Sequence, residues 1–317
     1  RAPGAGQELS RILNSLPSVA SVGENRQDMM VRGGGPTENG FIIDNIPIPS
    51  ISHFAQEDGR SNGPIGLINT EMVETLEFYS NGFSAAYGNR LSSFGDIIYR
   101  NGDKNQFKGN ASLGLGGAAA LLEGPASEKS SYIFSYRRSY LDVIAGALNA
   151  GGLPSYDDIQ GKISYQPNPY NTINVLVVSG SSLYERTKED AKKEDQVNYG
   201  SRQNNQSTVG INYKKIWSES SFSNTSISYS TQKADAAFLN YTTGSVTSMA
   251  NNTLKSFSIR QISQSQLSNK FGAEYGFETS SKMLQYDFLL NDLSASQDVS
   301  LVNTSAFSTF RYLFASK

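Results

Sequence analysis

Few residues in this 317-residue chain are equipped for chemistry. Cysteine is absent and His53 is the only histidine. Thiolate nucleophiles, disulfides and thiolate zinc sites are therefore excluded together, and a lone imidazole cannot make a dedicated metal site. No G-x-S-x-G elbow is present, and His53 precedes the strand-rich region, so a hydrolase of the serine–histidine type lacks its constellation. Gly33–Gly35, in RGGGPTEN, lack both the Walker lysine and the Rossmann spacing. As an ordinary turn they permit positive φ and close backbone approach. Arg32, just before them, is either a surface arginine or a guanidinium in need of a carboxylate partner. His53 lies in the polar stretch PSISHFAQEDGRSNG and reads as a loop histidine. The segment ERTKEDAKKED, residues 185–195, reads as a solvated loop. These residues describe a chain that is not an enzyme and needs no cofactor or metal.

The elements that would carry them fall into two parts. Hydrophobic residues are 38% and charged residues 18%, and the remainder is rich in Gly, Ser, Asn, Thr and Gln with 17 Tyr and 16 Phe, a β-rich profile. A net charge of −2 offers no basic footprint for nucleic acid. No apolar run approaches the roughly 18 residues of a membrane-spanning helix. Residues 1–105 read as a small α+β domain. Leu9, Ile12, Leu13 and Leu16 recur at helical spacing and stop at Pro17. Short strands are expected at 29–32, 41–43 and 95–100, with a strand or a helical turn running into one at 71–79. Residues 106–317 read instead as nine or ten antiparallel strands of about ten residues with period-two alternation. In the clearest, Phe271, Ala273, Tyr275 and Phe277 share one face, and Lys270, Gly272, Glu274, Gly276 and Glu278 the other.

A soluble sandwich would also alternate. The connections discriminate: short links at 127–131, 167–171, 218–221 and 264–268 alternate with long polar ones near 141–156, 185–203 and 234–252. Tight turns on one side and long loops on the other are the pattern of an outer-membrane barrel. Tyr165, Tyr170, Tyr213 and Trp217 cluster beside the short turns, where an interfacial aromatic girdle belongs. In 132–140, Arg138 shares the face of Tyr132, Phe134 and Tyr136, so it is expected near the rim.

Three linked stretches then carry a family resemblance: ELSRILNSLPSVASV at 8–22, DMMVRGGGPTENGFIIDNIPI at 28–48 and INTEMVETLEFYSNGFSAAYGNRLSSFGDIIYR at 68–100. In order and spacing they resemble the plug domain of TonB-dependent receptors. The matching positions are Leu13, Leu16, Pro17 and Val19, then Val31, Arg32 and Gly33, then Ile43 and Asp44, then Glu74, Glu77, Tyr87 and Gly88. Ser18 and Asn45 stand where the family prefers glycine, and both are turn-compatible. GFSAAYGNRLSSFGDI is similar to the receptors of Bacteroidetes-type bacteria, and less so to their glycan-importing branch.

The resemblance implies a plug at 1–105 and, over 106–317, the N-terminal part of a transmembrane β-barrel of about 22 strands, so that the chain looks truncated. It implies an outer-membrane protein that imports a scarce or large solute: a siderophore, cofactor, peptide or glycan. The implied partners are an inner-membrane TonB-type energy-coupling protein, outer-membrane lipids, the solute, and a surface lipoprotein or the remaining barrel segment. The alternative is a non-transporting barrel acting as an adhesin or as a pore-occluding subunit of an envelope complex. Arg32 would seat the plug against barrel glutamates, and Gly33, Gly34, Asp44, Glu74, Glu77, Tyr87, Gly88 and Arg90 would belong to the plug motifs. Ser52, His53, Phe54, Gln56, Glu57 and Asp58 would form a plug loop facing the ligand. The segment that engages the coupling protein is not recognisable before Leu9.

Overall fold

The computed structural model describes residues 9–21, 28–55, 65–114, 117–140, 154–291 and 293–314. The first part is built as the hydrophobic periodicity predicts. Helix α1 (Leu9–Leu13) buries Leu9 and Leu13. Strands β1 (Val19–Ser21) and β2 (Met29–Val31) pair antiparallel. A four-stranded sheet follows, in the order β4-β3-β6-β5, from β3 (Asn39–Ile43), β4 (Ile46–Pro47), β5 (Val73–Tyr79) and β6 (Ser93–Tyr99). A 3-10 turn, Thr70–Met72, leads directly into β5; Asn69 caps it by accepting from the Glu71 amide. The segment at 71–79 is therefore both a helical turn and a strand.

Two tight turns shape this domain. Arg32 and Gly33 have φ of 50° and 83°, and Asp44 and Asn45 have φ of 49° and 65°. Positive φ at both central residues is the type I′ geometry of two-residue hairpins. Asn and Asp tolerate it better than other side chains, so Asn45 does here what a glycine would do.

The second part is one ten-stranded antiparallel sheet in sequence order from β7 to β16. Its strands are β7 (Lys108–Gly114), β8 (Gly117–Ser127), β9 (Ser130–Arg138), β10 (Ser155–Asn168), β11 (Asn171–Arg186), β12 (Asn198–Ser218), β13 (Ser221–Asn240), β14 (Val246–Gln266), β15 (Phe271–Leu290) and β16 (Leu293–Tyr312). The short turns fall where expected. Of the long links, 141–153 lies outside the described residues, and the other two are not loops. Residues 185–203 hold the end of β11, a helix α2 (Lys188–Lys193) closed by a Thr187–Asp190 capping box, and the start of β12; residues 234–252 are mostly β13 and β14. The reason is length. A transmembrane strand needs about 9–11 residues, whereas β12 and β14 have 21 each. The surplus, polar in composition, continues the ladder beyond the apolar belt instead of looping.

The sheet inverts the arrangement of a soluble protein. Ser135, Arg137, Asp158, Gln160, Lys162, Thr208, Asn212, Ser228 and Arg260 are buried, whereas Phe134, Ile159, Ile163, Val209, Ile211, Ile227, Tyr229, Phe257, Tyr275 and Phe277 are exposed on the other face. Polar residues inside and apolar residues outside are what a barrel in lipid requires. Tyr165, Tyr170, Tyr213 and Trp217 are all exposed beside the short turns. The Trp217 indole donates to Ser223 at 2.9 Å, and the Lys215 ammonium lies 3.8 Å over its ring. Arg138 ends β9 on the outward face.

The small domain lies against the polar face of this wall. Its apolar core, centred on Val31, Ile43, Ile46, Ile68, Met72 and Ile97, reaches the wall at Leu121, Ile133, Leu176 and Val178.

Candidate functional site

The seam between the small domain and the wall is predominantly hydrogen-bonded, and alternation along the strands aims its groups. On β10, Asp158, Gln160, Lys162 and Ser164 all point inward, two residues apart. The Lys162 ammonium lies 3.1 Å from Asp44 and donates to the Tyr99 carbonyl at 2.5 Å. Burial pushes the Asp44 carboxyl above the usual range, and Lys162 only partly offsets it. Gln160 donates to the Leu67 carbonyl at 2.7 Å, while its oxygen accepts from the Tyr99 hydroxyl at 2.6 Å and the Asn69 amide at 3.2 Å.

Arg137, from β9, pairs with Asp158 at 2.8 Å and donates to the carbonyls of Gly66 at 2.9 Å and Leu67 at 2.6 Å. Asp158 also holds His53 Nε2 at 2.9 Å. Burial lowers the His53 pKa below its ordinary value, against the pull of Asp158. A neutral ring donating from Nε2 fits this setting, because Nδ1 is buried without a partner.

A second anchor lies on β13 and β14. The Arg260 guanidinium is fully buried and donates to Asn45 Oδ1 at 2.9 Å, to the Ala86 carbonyl at 2.7 Å and to Glu278 at 2.6 Å. The Ser226 hydroxyl donates to the Asn45 carbonyl at 2.6 Å, and Ser84 bonds Glu274. Behind this contact the Tyr87 ring lies 5.8 Å from Arg260, and its hydroxyl donates to Asp96 at 2.8 Å. Burial raises the pKa of both Tyr87 and Asp96.

The motif residues are thus distributed unevenly. Asp44 and Tyr87 reach the seam. Gly34 packs so closely on Ser92 that an added Cβ would come within 2.6 Å of its Cβ. Arg90 donates to the carbonyls of Asn39 and Asn89, both at 2.9 Å. Gly88 is exposed; Glu74 and Glu77 are exposed on β5, the edge of the plug sheet, and Glu77 accepts from the Tyr79 hydroxyl. Arg32 is exposed and has no carboxylate partner among the described residues. The cations that contact the plug from the described wall strands are Arg137, Lys162 and Arg260.

The described part of the loop expected to face a ligand lies against the wall. Ser52, His53 and Phe54 are buried, and the carbonyls of Ser52 and His53 accept from Gln206 at 2.5 Å and Ser182 at 2.6 Å. Backbone polar groups brought against a barrel wall need such partners. Gln56, Glu57 and Asp58 lie outside the described residues. Beside this loop, between plug and β13–β15, is a cavity of about 370 Å³ lined by Ser52, Phe41, Arg90, Ala234, Asn252 and Leu284 among others.

A small domain seated inside a wall of outward-apolar strands is the architecture of a plugged barrel. Residues 3–93 match the TonB-dependent Receptor Plug Domain family. No curated protein sequence matches the chain. Among solved structures, a ferric enterobactin receptor mutant from Pseudomonas aeruginosa is similar with a TM-score of 0.64 at 16% identity, over 98% of this chain and 53% of its own. FpvA of P. aeruginosa, solved with heterologous pyoverdines, gives 0.70 at 12%, over 97% and 47%. The copper transporter OprC gives 0.69 at 11%, over 96% and 50%. The chain spans about half the length of these structures. It carries a TonB-dependent receptor plug followed by antiparallel barrel strands, the TonB-dependent receptor fold, and it resides in the bacterial outer membrane.

Proposed function

We propose that the chain forms the plug and ten wall strands of a receptor that imports a scarce or large solute across the outer membrane, energised by an inner-membrane TonB-type protein. The observation that carries this reading is the seam. Plug and wall are joined largely by hydrogen bonds to Arg137, Gln160, Lys162, Ser182, Gln206 and Arg260. Each such bond is worth only about 0.5–1.5 kcal/mol net, more where a charge takes part. Water can take over these bonds on release, so a plug held this way can be displaced by pulling without tearing open a large apolar core.

Transport of this kind requires no catalytic group, and the chain is read as a non-enzyme. The plug end GFSAAYGNRLSSFGDI supports a Bacteroidetes-type receptor. Ferric enterobactin, pyoverdine and copper belong to the neighbouring proteins; the solute carried here is a separate question. A deletion strain grown on iron, peptide or glycan sources tests the proposal. Loss of growth on one class supports import, and unchanged uptake of every ligand overturns it.

A further inference from the structure

The outward face of the wall, turned away from the plug, changes character within one step along the strands. In register across β11 to β14, one outward row reads Val177, Val209, Tyr229 and Phe257. The next row, two residues further from the short turns, reads Ser179, Ser207, Thr231 and Lys255, and the one after it Ser181, Asn205, Lys233 and Thr253. Strand alternation puts all three on the side opposite Val178, Gln206, Thr208 and Ser230, which are buried on the inner face. The small side chains of the two polar rows leave a depression of about 370 Å³, bounded on β10 by Asp157 and Ile159. Lys233 lines it, and Lys255 stands just beyond its edge, in register with Thr231. Ser207 is ten residues along β12 from Trp217. About 9–11 strand residues cross the hydrocarbon layer, so the depression lies where acyl chains give way to headgroups, on the side away from the short turns and therefore the outer one.

The groups in the depression are available. Ser179 donates its hydroxyl to the Gln206 carbonyl at 3.3 Å. Ser181, Asn205, Ser207, Thr231 and Thr253 commit no side-chain hydrogen bond to the protein among the described residues. The charges in the two rows from β10 to β14 are Asp157, Lys233 and Lys255. Asp157 stands opposite Arg138, which has a partner. Lys233 pairs with Asp235 at 2.7 Å with both side chains partly exposed, and such exposed pairs are weak and exchangeable. Lys255 pairs with no acid among the described residues. As diagonal neighbours on paired strands, Lys233 and Lys255 stand roughly 7–8 Å apart at their bases, a spacing that lets two ammonium groups close on one phosphate. Their stems can lie along Tyr229 and Phe257 while the charges stay in the headgroup layer. A plain diacyl phosphodiester would engage the lysines and leave five hydroxyl and amide groups unserved; a sugar ring offers them donors and acceptors in kind.

We infer that this depression on β10–β14 holds one phosphorylated glycolipid of the outer leaflet, with its sugar on the hydroxyl rows, its phosphate between Lys233 and Lys255, and its acyl chains over Val177, Val209 and Tyr229. The site is on the outside of the wall and separate from any route a solute takes beside the plug. It follows from residence in the outer membrane and does not depend on import.

The test uses the full receptor in mild detergent, titrated under native mass spectrometry with a diphosphorylated glucosamine-disaccharide glycolipid, its dephosphorylated form, phosphatidylglycerol and inorganic phosphate. The expected result is one glycolipid per receptor, held at least tenfold more tightly than any of the other three. Lys233→Ser/Lys255→Ser should weaken it at least tenfold, and so should Ser207→Leu, which fills the depression and leaves every charge in place. Lys192→Ser, on α2, should bind like the parent. The inference is overturned if no glycolipid is retained, if phosphatidylglycerol or inorganic phosphate binds as tightly, or if the double variant or Ser207→Leu binds like the parent. The comparison of lipids uses the parent protein alone, so it decides even where a variant fails to fold. Solute uptake enters none of these readouts, so the import reading and this site fail independently.

Discussion

Removing Arg260 isolates the electrostatics of plug seating. The guanidinium bridges Asn45 and Ala86 on the plug to Glu278 on the wall. In Arg260→Met the aliphatic volume is retained, both plug contacts are lost, and Glu278 is left facing the seam without its cation. Breaking a buried ion pair from one side costs about 3–5 kcal/mol. The Glu278 side chain is 19% exposed, so part of its charge is screened and the lower end, about 3 kcal/mol, is expected. Because cysteine is absent, a single cysteine at the exposed Asn81 accepts an environment-sensitive dye that reports plug release in urea. With a slope of about 1–3 kcal/mol per molar, the midpoint should fall by roughly 1–3 M. Arg260→Met/Glu278→Gln should recover about half of that loss, since the orphaned charge is gone. A shift below about 0.3 M, or a double variant as unstable as the sum of the single ones, would refute the strut.

Three further outcomes follow from the same structure. His53 is the only histidine and is buried neutral. Its folded pKa lies below the unfolded value of about 6.5, so it contributes stability above that pH that is lost on acidification, with a slope approaching 1.4 kcal/mol per pH unit. Plug-release midpoints measured from pH 7 to 5 should decline, and His53→Gln should flatten that segment. An alanine at Gly180 would place its Cβ 2.6 Å from Leu67 and 2.8 Å from His53; overpacking of about 1–3 kcal/mol should appear in the dye assay while the barrel's heat-resistant electrophoretic mobility is unchanged. On the outer face, Val209→Arg should cost about 2–4 kcal/mol of barrel stability, as charge does near the bilayer midplane. Asn205→Arg, on the same face of β12 beyond the apolar belt, should cost under 1 kcal/mol; equal effects measured by urea unfolding in lipid would contradict the placement of the belt.

Much of this architecture is legible in the sequence because it rests on local patterning. The two faces of β15 follow from Phe271–Phe277 alone, and the plug strands from short apolar runs between turn residues. The seam is harder to read because it depends on which strand faces which plug segment. Arg32 lies exposed at a hairpin tip, and the wall cations that contact the plug come from positions more than a hundred residues later. Alternation did contain the signal: Arg137 sits between the outward Tyr136 and Arg138, and Lys162 between the outward Gly161 and Ile163, so both had to point inward. On the plug they meet the backbone carbonyls of Gly66, Leu67 and Tyr99, which no sequence pattern flags, together with the Asp44 carboxylate. Strand length is hidden in the sequence for a related reason. Polar residues beyond the lipid belt look like loop by composition, although their ladder pairing continues unbroken.

The turn at Asp44–Asn45 concentrates the attachment to a degree its size conceals. Two residues are gripped by Lys162 on β10, Ser226 on β13 and Arg260 on β14. The grips converge on one rigid bend, so traction applied elsewhere in the plug loads all of them at once instead of peeling them in succession. Such a fastening fails like a rivet and not like a zip. The plug should therefore stay in place under light traction and let go abruptly past a threshold, and its release should register as a single event in a force trace.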